Sequence, residues 1–188
     1  SGADNTCLCP AGMYSENAGV TQCNAAQAGH YTVDTDSNAV SSGAVNEQPA
    51  QAGYYAVDAD GDAVSTGAVN EAIAPAGSYA CMSGGTNGVG VTSGADDACL
   101  CPAGMYSASA GVTQCSTAQA GYYTVDSSSN AVSSGAVNQV QVSAGSYACT
   151  GSDTDGTGVA TGADNTCLCP AGMYSENAGV TQCNAAQA

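Results

Sequence analysis

The sequence predicts an all-β protein: an elongated tandem array of small β-hairpin modules stapled by disulfides, with little or no helix. Three observations predict it. The chain repeats itself at a long fixed period. Its apolar residues alternate at a spacing of two between turns rich in Gly, Ser and Asn. Its eleven Cys recur at fixed places within the repeat, in a chain that has no Phe and no Trp to build a core.

The repeat governs everything else. Residues 2–28 and 162–188 both read GADNTCLCPAGMYSENAGVTQCNAAQA, an offset of 160 residues. A shorter punctuation lies inside that period: the tetrad Ala-Gly-X-Tyr begins at Ala11, Ala28, Ala52, Ala76, Ala103, Ala120, Ala144 and Ala171. The tetrads mark three kinds of module. Cys-free modules of 24 residues occupy 28–51, 52–75 and 120–143. Modules of 27 residues ending in Cys-Leu-Cys-Pro occupy 76–102 and 144–170, and one-Cys modules of 17 residues occupy 11–27, 103–119 and 171–187. The domain division that follows is a truncated Cys module at 1–27, Cys-free β modules at 28–51 and 52–75, a four-Cys module at 76–119, a Cys-free β module at 120–143 and a four-Cys module at 144–188. With no initiator Met, no signal peptide and ends inside modules, the sequence reads as a window on a longer array.

Composition explains why such modules need help. Ala, Gly, Ser and Thr bury little area, and apolar burial stabilises by only about 25 cal/mol per Å². Domains below about 40 residues usually need disulfides, metals or association, and stacking on neighbours is the natural remedy. Lys and Arg are absent against sixteen Asp and Glu, a formal charge of −16. That excludes nucleic acid, whose phosphates must be neutralised by cations, and an anionic membrane surface. No apolar run reaches the roughly 20 residues a spanning helix needs. The missing cations remove every trypsin-like cleavage site; the same absence follows if one cation-free unit was copied many times.

The odd Cys count follows from the phase of the repeat. Each 27-plus-17 pair carries four: Cys81, Cys99, Cys101 and Cys115, then Cys149, Cys167, Cys169 and Cys183. Four Cys allow three connectivities. Nearest-neighbour loops are the favoured ones: Cys81–Cys99, Cys101–Cys115, Cys149–Cys167 and Cys169–Cys183, with Cys9–Cys23 at the start. Cys7 is then left for a partner Cys outside the segment. A closed loop of about 15 residues contributes roughly 3 kcal/mol, and stable disulfides imply an oxidising, extracellular setting. A Cys₄ zinc site is disfavoured, because Cys-Leu-Cys has one intervening residue where zinc pairs usually have two to four.

Cys-Pro-Ala-Gly-Met-Tyr-Ser, followed by small residues and a further Cys, occupies 9–23, 101–115 and 169–183. It resembles the CPxGxYS…C unit of ephrin-receptor-like and TNF-receptor-like cysteine-rich repeats and of Cys-rich surface antigens of protists. The resemblance covers the Cys-bearing modules only. It implies a rod of small disulfide-bonded β modules on a cell surface or in a secreted fibre, and it implies no activity.

In the Cys-free module at 120–143, Tyr123 and Val125 share one strand face. Asp126-Ser127-Ser128-Ser129-Asn130 is a turn-forming run. A return strand is expected from Val132, then a turn at Ser133-Ser134-Gly135 and a short third strand at Ala136-Val137. The other copies keep the frame at Val33, Val40 and Val45, and at Val57, Val64 and Val69. In the tetrad, Gly permits a backbone angle or close approach denied to other residues, and Tyr supplies the one large side chain, with a hydroxyl free to find a partner. A Tyr column would serve as a packing spine or as a stacking platform for sugars. The Pro residues (Pro10, Pro49, Pro75, Pro102 and Pro170) stand beside the tetrads, where the chain passes between modules.

Few residues invite chemistry. Asp58-Ala59-Asp60-Gly61-Asp62 has the alternating Asp that opens acidic calcium loops, but no bidentate Glu follows at EF-hand spacing. Turn chemistry accounts for it and for its equivalents at Asp34 and Asp126. No cofactor is expected, calcium at Asp58, Asp60 and Asp62 being the one alternative carried forward. Asp153 and Asp155 read as a solvated loop. His30, the single His, occupies a slot that Tyr54 and Tyr122 hold elsewhere. No nucleophile–base pair or phosphate loop is evident, so no enzyme is expected and no catalytic, cofactor or metal residue is assigned. There is no Asn-X-Ser/Thr sequon, while 21 Ser and 16 Thr leave room for O-linked glycans. The expected function is a structural component of an extracellular fibre, filament or surface coat, whose partners are other copies or neighbouring repeats. The alternative is an adhesive or glycan-binding ectodomain, with calcium as a bridging ion.

Overall fold

The structure, a computed structural model, describes residues 7–187. Among them there is no helix, and sixteen short strands pair two by two into eight sheets, each joining strands adjacent in sequence. The all-β, disulfide-stapled hairpin fold expected from the sequence is the fold found. The chain divides into two compact units. The first runs to Ala74 and takes in Ala80–Gly85 and Gly90–Cys99; the second comprises Pro75–Tyr79, Thr86–Val89 and the chain from Leu100 onward.

In the first unit, β1 (Met13–Tyr14) pairs with β2 (Asn24–Ala25), β3 (His30–Val33) with β4 (Asn46–Pro49), and β5 (Tyr54–Val57) with β6 (Asn70–Ile73), all antiparallel. Strands β7 (Ser78–Cys81) and β8 (Asp97–Leu100) belong to the 27-residue module that follows. In the second unit, β9 (Met105–Tyr106) pairs with β10 (Ser116–Thr117), β11 (Tyr122–Val125) with β12 (Asn138–Gln141), β13 (Ser146–Cys149) with β14 (Asn165–Leu168), and β15 (Met173–Tyr174) with β16 (Asn184–Ala185), again antiparallel.

The tetrad starts every module because it is a turn. The carbonyl before it accepts the amide of its third residue: Met13 N–H to Pro10 O at 3.1 Å, His30 to Gln27 at 3.0 Å, Met105 to Pro102 at 3.0 Å. The Gly in the turn lies in the left-handed region, at φ +70° in Gly12 and +71° in Gly104, where a side chain is strained. Strand geometry begins at the next residue. Four of the five Pro thus open the turn instead of merely linking modules. Pro49 ends β4 opposite His30, where its missing N–H costs little. Tyr79 and Tyr147 are fully buried, and their hydroxyls accept the amides of Gly88 and Gly156 at 3.3 and 3.2 Å.

The Cys-free hairpin corrects one expectation. The return strand is not at Val132 but at Asn138–Gln141, with Tyr123 opposite Val140 and Val125 opposite Asn138. The segment contributes one isolated bridge only, Val125 with Ala131; the Val132 amide donates to the Thr124 carbonyl at 3.2 Å, and Thr124 Oγ1 donates to the Val132 carbonyl at 3.0 Å. Of the short third strand expected at Ala136-Val137, only Val137 reaches the hairpin, its N–H donating to Val125 O at 3.0 Å; the backbone of Gly135 and Ala136 is engaged by the preceding module. Gly135 N–H donates to Cys101 O at 2.8 Å, and Ala136 O accepts from Ser107 N at 3.1 Å. Modules at 28–51 and 52–75 repeat this arrangement.

The core is a set of small clusters, in keeping with the composition. Val142, Ala148 and Ala163 form one in the second unit, and Tyr31, Val33, Ala56 and Ala68 form one in the first. No buried side-chain nitrogen or oxygen among the described residues lacks a hydrogen-bond partner.

Candidate functional site: the seam between successive modules

Within each unit, one backbone device joins a module to the next. Each module carries a Gly nine residues before the following tetrad, and at six of them the N–H reaches back to the residue two before the previous tetrad. Gly43 donates to Cys9 O at 2.8 Å, Gly67 to Ala26 at 2.8 Å and Gly94 to Ala50 at 2.7 Å. In the second unit Gly162 donates to Ala118 at 2.8 Å and Gly179 to Val142 at 2.9 Å. The residue after that Gly accepts from the residue after the tetrad Tyr: Ser15 to Ala44 at 3.2 Å, Thr32 to Ala68 at 3.1 Å, Thr124 to Ala163 at 3.1 Å, Ala148 to Val180 at 3.0 Å. The same tetrad Gly also meets the module beyond. A Cβ on Gly12 would lie 1.8 Å from Gly67 O, and one on Gly104 would lie 1.9 Å from Gly162 O. No side chain fits there, so the tetrad Gly is fixed twice, by its φ and by this approach.

Side chains reinforce the seam. Both carboxylate oxygens of Glu47 accept from Gln27, from its backbone N and from Nε2, each at 2.7 Å. Glu71 grips Gln51 the same way at 2.7 and 2.8 Å, while Gln139 offers one oxygen to Gln119 N at 2.7 Å. Burial, and then the neighbouring Glu47 carboxylate, push the Tyr14 phenol above its ordinary range; burial and Glu71 do the same to Tyr31. Between the 27- and 17-residue modules the hydroxyl of Ser107 accepts from Gly77 N at 2.9 Å and donates to Ser78 O at 3.0 Å, and Ser175 does this for Gly145 and Ser146.

Sequence reasoning read these Gly residues only as turns. The signal that finds them is their constant distance to the next tetrad, together with the small residue two before it: Ala26, Ala50, Ala74, Cys101, Ala118 and Val142 are all fully buried.

The disulfides are Cys9–Cys23, Cys81–Cys99, Cys101–Cys115, Cys149–Cys167 and Cys169–Cys183, closing nearest-neighbour loops; Cys7 is free and exposed. Five disulfides fit an oxidising environment. Cys81, Asp97 and Cys99 form the one metal-type cluster among the described residues, but both sulfurs are joined to each other and neither is a thiolate.

Asp58 is committed to its own turn: Oδ1 accepts the amides of Asp60 and Asp62, each at 3.0 Å. The carboxylates of Asp58, Asp60 and Asp62 do not converge as a ligand group in this structure. Asp34 and Asp126 cap their turns in the same way, and the Asn38 and Asn130 amides hold these carboxyls below the usual carboxylate range. The Asp153 carboxylate accepts from Asp155 N, and Asp155 accepts from Thr157 N. His30 lies half-buried on β3 with Nδ1 3.0 Å from Ala28 O, and no acid or nucleophile is bonded to its ring. Among the described residues no helix is long and apolar enough to cross a membrane.

Fold and seams together define a disulfide-rich, all-β protein of small hairpins joined through their backbones. No protein-family model matches the chain, and no curated protein matches it.

Proposed function

We propose that this chain is a structural component of an extracellular fibre, filament or surface coat built from tandem repeats. The observation that carries the reading is the sameness of the seam. The same two hydrogen bonds join Cys-bearing to Cys-free modules and Cys-free modules to one another. A backbone connection that repeats from module to module within each unit can be extended, which is what a periodic material needs. The five disulfides, and the resemblance of the Cys-Pro-Ala-Gly-Met-Tyr-Ser segments to surface-antigen repeats, support an extracellular location. The charge of −16 keeps neighbouring assemblies apart and soluble. Electron microscopy of the assembled material tests the reading: an axial periodicity matching one or a few modules is expected. Small-angle scattering from a compact monomer with no tendency to assemble would overturn it.

A further inference from the structure

The third residue of the tetrad depends on the module that precedes it. It is His30, Tyr54, Ser78, Tyr122 or Ser146 after a Cys-free or one-Cys module, and Met105 or Met173 after a 27-residue one. The second unit gives the reason. The loop tip at Gly88 is tied twice: its N–H donates to the buried Tyr79 hydroxyl at 3.3 Å, and its carbonyl accepts from Cys115 N–H at 2.8 Å. The Met105 thioether lies over the remaining face, where a Cβ on Gly88 would meet Sδ at 2.7 Å and the terminal methyl at 3.0 Å. The next copy repeats the arrangement. Gly156 donates to the Tyr147 hydroxyl at 3.2 Å and accepts from Cys183 N–H at 2.8 Å, and a Cβ there would meet Met173 Sδ at 2.7 Å and its methyl at 3.1 Å. Met173 also packs against the buried cluster of Tyr147, Cys149, Cys167 and Cys183. Met105 and Met173 are both half-buried, so part of each side chain stays within reach of solvent.

We propose that Met105 and Met173 are oxidation sites, at which hydrogen peroxide unfastens the joint between a 27-residue module and the 17-residue module after it. The five disulfides occupy ten of the eleven Cys. The thioethers and the free Cys7 are then the sulfur that an oxidant can still attack. The lone pair of Sδ attacks one peroxide oxygen: an S–O bond forms, the O–O bond breaks, and the peroxide leaves as water. The sulfur gives up two electrons and the peroxide takes them. The sulfoxide is polar and one atom larger. Sulfur and methyl already fill the contact with Gly88, whose N–H and carbonyl are engaged by Tyr79 and Cys115. The added oxygen has neither room nor a donor there, so the side chain swings out and the Gly88 loop loses its cover. Methionine sulfoxide reductase, which removes that oxygen, returns the thioether and closes the joint. The inference goes beyond the structural reading and stands whether or not the chain forms a fibre.

The test uses the full chain carrying Cys7→Ser, which removes the free thiol. Hydrogen peroxide is added in steps, sulfoxides are located by mass spectrometry of peptic peptides, and amide exchange is followed by NMR. Met82, 43% exposed, is the reference thioether. Oxidation of Met105 and Met173 is expected to speed exchange several-fold at Gly88, Cys115, Gly156 and Cys183, while β11 and β12 keep their rates. Methionine sulfoxide reductase is expected to reverse the change. Met105→Leu conserves side-chain volume; in peroxide it should keep Gly88 and Cys115 protected while Gly156 and Cys183 still accelerate. That contrast inside one molecule separates oxidation from a folding fault in the variant. Three results overturn the proposal: sulfoxide at Met105 and Met173 with exchange unchanged, resistance of both to peroxide that fully oxidises Met82, or acceleration at Gly88 and Cys115 that persists in Met105→Leu.

Discussion

The neighbouring hairpins at 120–143 and 144–170 solve one problem in two ways. Both begin with the tetrad turn, run a four-residue strand, and return through a four-residue partner strand. Tyr123 and Tyr147, Val125 and Cys149, and Val142 and Cys169 occupy matching positions. In the Cys-free hairpin the loop is tied by hydrogen bonds: Thr124 Oγ1 to Val132 O, and the Asp126 carboxylate to the amides of Ser128 and Asn130 at 2.8 and 2.9 Å. In the other, Cys149–Cys167 staples the strands and Tyr147 is fully buried with its hydroxyl bonded to Gly156 N. Val125, 1% exposed, fills the space that Cys149 fills with sulfur. The difference teaches that the backbone frame is common property and that its fastening is interchangeable.

The largest effect is expected from breaking what the two share. Gly104→Ala places a methyl group against the Gly162 carbonyl at a positive φ, and a loss of about 2–5 kcal/mol is expected from strain and overpacking together. Denaturant unfolding of the purified variant checks it; an unchanged midpoint would show that the close approach is dispensable. Next comes the staple. Replacing Cys149 and Cys167 together by Ala should cost about 3 kcal/mol through the unfolded chain. Amide exchange should rise in β13 and β14 before it rises in β11 and β12. Equal acceleration in both hairpins would deny that the disulfide is local to one of them.

A smaller effect sharpens the other side of the comparison. Thr124→Val keeps the shape but removes the bond to Val132 O, and about 1 kcal/mol should be lost. The same substitution strategy has no counterpart at Ala148, which carries no hydroxyl. The smallest effect concerns pH. The carboxyls of Asp34 and Asp126 are held below the usual range, so their contribution is present above about pH 4, the unfolded value, and is lost as pH falls through the depressed folded value. The Cys-free hairpins at 28–51 and 120–143 should therefore loosen first in acid, which residue-resolved NMR would detect; parallel loss in the stapled hairpins would contradict it. At the alkaline end, the raised phenols of Tyr14 and Tyr31 stabilise the first unit below about pH 10 and cease to do so as pH rises past their folded values.

Much of this was legible in the sequence. The tetrad marked a special backbone angle or close approach, for which Gly is needed, and a large side chain for packing, which Tyr supplies. Turn runs such as Asp126-Ser127-Ser128-Ser129-Asn130 read correctly because an Asx side chain caps its own amides locally. The strand at Asn138–Gln141 was not legible. Its residues, Asn138, Gln139, Val140 and Gln141, carry a weak apolar alternation, while Val132 and Val137 advertised themselves more strongly. What decided the matter was non-local: Gly135 and Ala136 are spoken for by Cys101 and Ser107 of the preceding module.

By itself the sequence determined the all-β class and the local turns, since each of these depends on residues close along the chain and on backbone angles that few residue types accept. Only the tertiary structure decided the strand partners and the seam. Those depend on which backbone groups from another module arrive first at a given N–H or carbonyl, and spacing along one module carries no record of that competition.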